Sequence, residues 1–296
     1  MRTRDAVLLT AIVFIWGFNF VVIRWGLNHF PPFLFSALRF SVCLVPIAFG
    51  VKKPAVSWRV LILLGFTLGL CVFGFLYLGI NAGMGAGVAS VIMQAQVFFT
   101  LLASYVALGE RPSEKNLFSI ALAIAGLVLI YFSNGTHTPA TGFALVLLGA
   151  LSWGISNTII KMLPTVDMVG LMVWISLVPP LPLLVLSYWF DDHSMIAAGL
   201  TGLDWRGWLA VLYTSFLSTL LAYSVWGTML QKYPAGKVAP FALLVPVFGL
   251  LSAWLFLGSE FSLSDLVGPA LIMIALVLNL MDFPSIRPQQ KTQEET

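Results

Sequence analysis

The chain has 296 residues, 59% hydrophobic and 9% charged, with a mean hydropathy of +0.97 and a formal net charge of +3. Soluble domains carry about 25% charged residues, so this composition excludes a water-soluble fold. A bilayer-spanning helix needs about 20 apolar residues, and ten such spans with short connections leave no length for a soluble catalytic domain.

Apolar runs predict spans at 5–26, 32–50, 58–81, 85–107, 114–132, 140–162, 167–190, 206–230, 237–257 and 264–281. MRTR precedes the first run as it would in a signal peptide. No small-residue cleavage site follows a short core, however, and Trp16, Phe18 and Phe20 lengthen the run, so a retained helix is expected. Arg39 lies in the second run, about 10 Å along the helix from Pro32. Cys43 and Cys71 fall inside apolar runs and read as packing residues. Between the third and fourth runs, Gly83-Met84-Gly85-Ala86-Gly87 reads as a tight hairpin; it lacks the Lys-Ser/Thr of a phosphate loop. Trp25, Trp58, Trp189, Trp205 and Trp208 sit near span ends, where indole rings anchor helices at the membrane interface. Ser113 and Ser262 are predicted N-caps, and Glu110 and Glu260 are expected to tie to the start of the next helix. Pro179, Pro180 and Pro182 predict a break in the seventh span, and Pro240 and Pro246 a kink in the ninth. The stretch 191–204 is predicted to be a loop. The polar tail 284–296 is expected to be disordered and cytoplasmic.

Lys and Arg set the orientation. With a cytoplasmic N-terminus, the inside carries Arg2, Arg4, Lys52, Lys53, Arg59, Arg111, Lys115, Lys161, Lys232, Lys237, Arg287 and Lys291, against Arg24 and Arg206 outside. That asymmetry predicts an inner-membrane protein with both termini cytoplasmic.

The chain also repeats itself. Shifted by 150 positions, Val88, Ala89, Val97, Phe98, Leu101, Ala103 and Glu110 fall on Val238, Ala239, Val247, Phe248, Leu251, Ala253 and Glu260, seven identities in 23 positions. Trp16-Gly17 matches Trp153-Gly154, Arg24 matches Lys161, and Trp58-Arg59 matches Trp205-Arg206. The predicted fold is therefore an all-α integral membrane protein of ten transmembrane helices. It comprises two five-helix units, 5–132 and 140–281, which the odd helix number inserts in opposite orientation.

The residues carry a family resemblance over about 5–283. Trp16-Gly17-Phe18-Asn19-Phe20, Pro31-Pro32 with Leu38-Arg39-Phe40, Gln94-Ala95-Gln96 with Phe98-Phe99, and Gly109-Glu110-Arg111 occur in order. Ile124-Ala125-Gly126, Trp226-Gly227-Thr228, and Val238-Ala239-Pro240 through Leu244-Val245-Pro246 complete the series. The chain so resembles the EamA family of the drug/metabolite transporter superfamily, and within it exporters of O-acetylserine and cysteine. The resemblance implies outward transport of small amino acids or their derivatives across the inner membrane.

An ionisable residue inside a span is a functional candidate by default, and Arg39 is the one charged residue of the ten runs that lies away from the span ends. Guanidinium binds carboxylate through paired hydrogen bonds, which suits an amino-acid substrate. The plainer reading is an arginine satisfied by backbone carbonyls or snorkelling outward. The acidic residues and the three histidines all fall at span ends, in loops or in the tail, so no proton relay is expected. The small multidrug exporters of the same superfamily carry a glutamate in their first helix, where this sequence has Trp16 and Asn19. Facilitated diffusion or exchange is therefore expected over proton antiport. Neutral polar residues complete the candidate substrate site: Ser215, Thr219, Tyr223 and Trp226 on one face of the eighth helix, and Thr67, Cys71, Gly74, Tyr77 and Asn81 on the third. Asn19 and Asn157 occupy adjacent repeat positions. Gln94 joins them, whereas Gln96 points about 200° away on a regular helix, so both are not expected at one cavity.

The expected partners are a small-molecule metabolite and membrane lipid, with no nucleic acid, no cofactor and no metal. A monomer and a dimer are equally consistent. A carrier of another metabolite, such as an aromatic amino acid, is the alternative. An intramembrane lipid-modifying enzyme is disfavoured, since clustered carboxylates, histidines or metal ligands at membrane depth are missing from the sequence. A channel is disfavoured for want of a filter-like loop or charged ring.

Overall fold

Hydrocarbon offers no water to backbone N–H and C=O groups, so apolar runs of this kind satisfy them within helices. The computed structural model describes residues 1–48, 50–110, 112–133, 139–164, 166–202, 204–233 and 238–280, and among these no strand occurs. The apolar helices run in order as α1 (Thr3–Gly26), α2 (Pro32–Ile47), α3 (Trp58–Asn81), α4 (Ala86–Leu108), α5 (Glu114–Phe132), α6 (Ala140–Lys161), α7 (Met168–Phe190), α8 (Trp205–Met229), α9 (Pro240–Leu257) and α10 (Asp265–Leu280). Among the described residues, all of these but α2 and α10 are long and apolar enough to cross a membrane, eight helices in all. The tail 284–296, Arg111 and Lys237 lie outside the described residues.

Helix ends follow local chemistry. The Ser113 hydroxyl accepts from Asn116 N at 3.2 Å while Asn116 Oδ1 accepts from Ser113 N at 2.9 Å. Ser262 and Asp265 repeat this reciprocal cap at the start of α10, at 3.4 and 3.0 Å. α4 and α9 both end on a left-handed glycine, Gly109 (φ +69°) and Gly258 (φ +63°), where any side chain would be strained. Glu110 does not tie to the next helix as expected. It pairs with Lys161 at the end of α6, 2.5 Å away, with both side chains about half exposed.

Departures from regular helix decide which side chains face inward. Residues 65–72 of α3 and 213–221 of α8, which overlap in the repeat alignment, form wide π-helical turns. Each such turn rotates the residues after it relative to an ideal α-helix. In α4, Met93–Ala95 tightens into a single 3-10 turn. α7 breaks between Ile175 and Pro180, and α9 opens with a 3-10 turn at Ala239–Leu243, because the prolines there cannot donate to the preceding turn. The stretch 191–204, expected as a loop, contains a short helix, His193–Thr201, which Asp192 caps by accepting from Ser194 N at 2.7 Å. The Trp208 ring packs edge-on against Phe30, with centroids 5.5 Å apart.

Packing relies on small residues, as it must where lipid is as apolar as the side chains. A Cβ on Gly17 would stand 2.5 Å from Phe248 Cβ, so α1 lies directly against α9. Its repeat partner Gly154 does the same for α6 against α4, 2.6 Å from Phe99 Cβ. α5 and α10 approach through Gly126 and Gly268. α2 and α7 are joined by Asp191, whose carboxylate accepts from Leu34 N at 2.9 Å and Phe33 N at 3.4 Å and so caps α2 from another helix. Burial raises the Asp191 pKa, and these backbone bonds partly offset the rise.

Candidate functional site

Between the two halves lies a cavity of about 440 Å³, within the usual range for small-molecule sites. At one end it is closed by the N-terminal half of α4 against the C-terminal half of α9. A Cβ on Gly249 would stand 2.2 Å from Ser90 Oγ, and one on Gly87 would stand 3.0 Å from Ala253 Cβ. At the other end the walls are the C-terminal half of α4 (Gln96, Thr100, Leu101), the first turn of α9 (Ala242, Leu243) and the end of α10 (Leu276, Leu280).

Arg39 reaches the wall from α2 and is 1% exposed. Its Nε and Nη2 donate to Thr219 Oγ1 at 3.2 and 2.7 Å, and Nη1 donates to the Tyr77 hydroxyl at 3.1 Å. The guanidinium carbon lies 3.7 Å from the centroid of the Phe73 ring. Ser215 Oγ donates to the Arg39 carbonyl at 2.9 Å, a donor it shares with Val211 O at 2.7 Å, and Thr219 Oγ1 donates to Thr214 O at 2.8 Å. The bond to Thr214 leaves the Thr219 oxygen free to accept from the guanidinium. Arg39 is thus held neither by backbone carbonyls nor by snorkelling, but by neutral side chains. A buried ion without a counter-charge costs several kcal/mol, and a desolvated cation–π contact returns about 2 kcal/mol, so these partners position the charge without neutralising it.

The candidate residues separate into wall and support. Asn19, Arg39, Gln94, Asn157, Tyr223 and Trp226 line the cavity. Tyr77 is fully buried behind Arg39 and outside the lining, and Ser215 and Thr219 likewise hold the arginine. Asn157 Nδ2 donates to Gln96 Oε1 at 2.6 Å and to Thr100 Oγ1 at 3.3 Å, which ties α6 to α4. Asn19 is 5% exposed, and its Oδ1 has no hydrogen-bond partner among the described residues.

Two expectations from ideal helix geometry are corrected. Gln94 and Gln96 both line the cavity, because the 3-10 turn at Met93–Ala95 changes the angle between them. The third helix presents Val72, Phe73 and Leu76 rather than the face through Thr67, Cys71 and Asn81, because the π-turn rotates the helix beyond it. Thr67 instead accepts from Ser156 Oγ at 2.8 Å.

Sequence reasoning misses Trp16, Trp153 and Ser218 as lining residues. Trp16 and Trp153 are repeat equivalents, a signal present in the sequence alignment of the two halves. Trp16 packs against Tyr223 and Trp226 with ring centroids 5.2 and 5.4 Å apart, and its Nε1 donates to Ser218 O at 2.9 Å. No Asp, Glu or His lines the cavity among the described residues. The arrangement therefore offers one fixed positive charge, several amides and an aromatic wall.

Comparison with known proteins sets this geometry in context. Residues 4–132 and 140–281 each match the model of the EamA-like transporter family. A protein of Salmonella typhimurium named a probable amino-acid metabolite efflux pump is 40% identical over 289 residues, spanning 96% of this chain and 97% of that one. An Escherichia coli protein with the same description is 39% identical over 286 residues, spanning 95% and 96%. A solved crystal structure at 15% identity superposes with a TM-score of 0.63 over 94% of this chain and 97% of the other, a likeness of fold alone.

Proposed function

This chain belongs to the EamA-like transporter family, and from that premise we propose that it exports small amino acids or their derivatives, of the O-acetylserine and cysteine kind, by alternating access around the central cavity. The observation that carries the reading is the Arg39 guanidinium, fixed at the wall of a cavity otherwise lined by neutral polar and apolar groups. A substrate carboxylate supplies the charge that Arg39 lacks. Asn19, Gln94 and Asn157 offer amides to the rest of a polar metabolite, Tyr223 and Trp226 pack its apolar part, and Tyr77 sets the arginine in place. The relatives named as probable amino-acid metabolite efflux pumps support the same substrate class.

In this reading the ten helices form two inverted five-helix units, 5–132 and 140–281, in the inner membrane with both termini cytoplasmic. The Lys and Arg distribution then puts the α9 start and the α10 end on the cytoplasmic side, and the cavity faces inward. Substrate enters from the cytoplasm, and rocking of one unit against the other releases it outside. With no carboxylate or histidine at the cavity among the described residues, transport is facilitated or an exchange. The aromatic wall of Trp16, Tyr223 and Trp226 favours, as a second reading, an aromatic amino acid as cargo.

Purified protein in proteoliposomes tests the first reading. Arg39→Gln is expected to abolish uptake of carboxylate-bearing substrates while the protein still inserts. Undiminished uptake by the variant would remove Arg39 from the substrate site.

A further inference from the structure

The charge on Arg39 has no counter-charge among the described residues. A guanidinium does not deprotonate in proteins, so it cannot escape burial by losing its proton as a lysine can. The carboxylates that might have neutralised it are engaged elsewhere. Buried Asp5 takes Lys232 Nζ at 2.7 Å and the Tyr233 hydroxyl at 2.5 Å, and Asp191 caps α2. The described ion pairs, His29–Asp204, Glu110–Lys161 and Lys232–Asp5, all lie away from the cavity. Three guanidinium N–H groups are used by Thr219 and Tyr77, and the others have no acceptor among the described residues.

We propose that the substrate-free cavity binds a small inorganic anion, chloride under cellular conditions, on the Arg39 guanidinium, and that the substrate carboxylate displaces it. Burial makes an unpaired cation far costlier than a paired one, so the empty carrier holds a counter-ion through its cycle. The anion takes the in-plane guanidinium N–H groups left over by Thr219 and Tyr77, while the Phe73 ring covers one face of the plane. Chloride and substrate then compete, and each outward movement of substrate exchanges against an anion. This exchange rests on the cavity being the transport site; the anion site itself rests on Arg39 alone.

The test uses purified full-length protein in detergent, titrated with sodium chloride against sodium gluconate at constant ionic strength, with chloride NMR line broadening as the readout. Saturable broadening is expected, removed by O-acetylserine but not by its methyl ester, which lacks the carboxylate. Chloride at ten times its own Kd should raise the apparent Kd for O-acetylserine about eleven-fold. Arg39→Gln should lose the saturable component. Absence of saturable broadening, its persistence in Arg39→Gln, or equal displacement by acid and ester would each overturn the anion site. If the variant does not fold, the acid-against-ester comparison on the unaltered protein decides. Cysteine efflux without chloride binding would sink the anion site and leave the transport reading standing. Chloride binding without efflux of any amino acid would do the reverse.

Discussion

Alanine at Gly17 adds one methyl group where α1 and α9 touch. Its Cβ would stand 2.5 Å from Phe248 Cβ, 2.8 Å from the Val245 carbonyl oxygen and 3.0 Å from Gly249 N. Two of those neighbours are backbone, so no rotamer change relieves the clash and the helices must separate. Overpacking of this kind costs roughly 1–3 kcal/mol, against a helix-propensity gain of about 1 kcal/mol for replacing glycine. Gly74, in the second half of α3, supplies the control: its nearest neighbour would be Leu183 Cδ2 at 4.0 Å, an ordinary contact. Gly74→Ala should therefore keep the propensity gain without the clash. The two variants should differ by about 2 kcal/mol, or roughly 4–8 °C in melting temperature for a chain of this size. Thermal unfolding in detergent, followed by tryptophan fluorescence, reads both. Equal melting temperatures, or a more stable Gly17→Ala, would refute the close α1–α9 packing.

The polar contacts at the helix ends can be tested in the same assay. Removing the trans-cap of α2 with Asp191→Ala should cost about 0.5–2 kcal/mol in detergent unfolding, the usual loss for an N-cap. Because burial raises the Asp191 pKa, the folded protein holds that proton to higher pH than the unfolded chain. Its contribution to stability is therefore largest below about pH 4 and falls as pH rises through the folded value. Asp191→Asn should flatten that part of the stability profile, and an unchanged slope would count against the buried carboxyl. Glu110→Gln breaks a pair that is about half exposed on both sides, so its effect on stability should stay within about 1 kcal/mol. A larger loss would mean that the α4–α6 ends depend on this pair.

Much of this architecture is legible in the residues. Apolar runs locate the helices to within a few positions, and Ser113, Ser262, Gly109 and Gly258 mark ends by their own chemistry. Arg39 stands out because charge is so rare in these runs, and its position at the cavity is readable for that reason. The faces of the helices are less legible. Periodicity assumes an even turn, while α3 and α8 contain π-turns with no residue-type signature, and α4 contains a 3-10 turn. Gln96 consequently joins the cavity, and Thr67 and Cys71 leave the expected face. Thr219 and Tyr77 read as wall residues in sequence, because a polar group that supports a buried charge has the same spacing as one that faces a substrate. The pairing of Glu110 with Lys161 joins residues from the two repeats, which no local pattern predicts.

Efflux of labelled cysteine from proteoliposomes holding the purified protein, with and without a pH gradient, tests the central claim most directly. Facilitated export predicts efflux that O-acetylserine inhibits, that the gradient leaves unchanged, and that Arg39→Gln abolishes. No cysteine efflux, or efflux driven by the gradient and indifferent to Arg39, would contradict a carboxylate-binding carrier without a proton path.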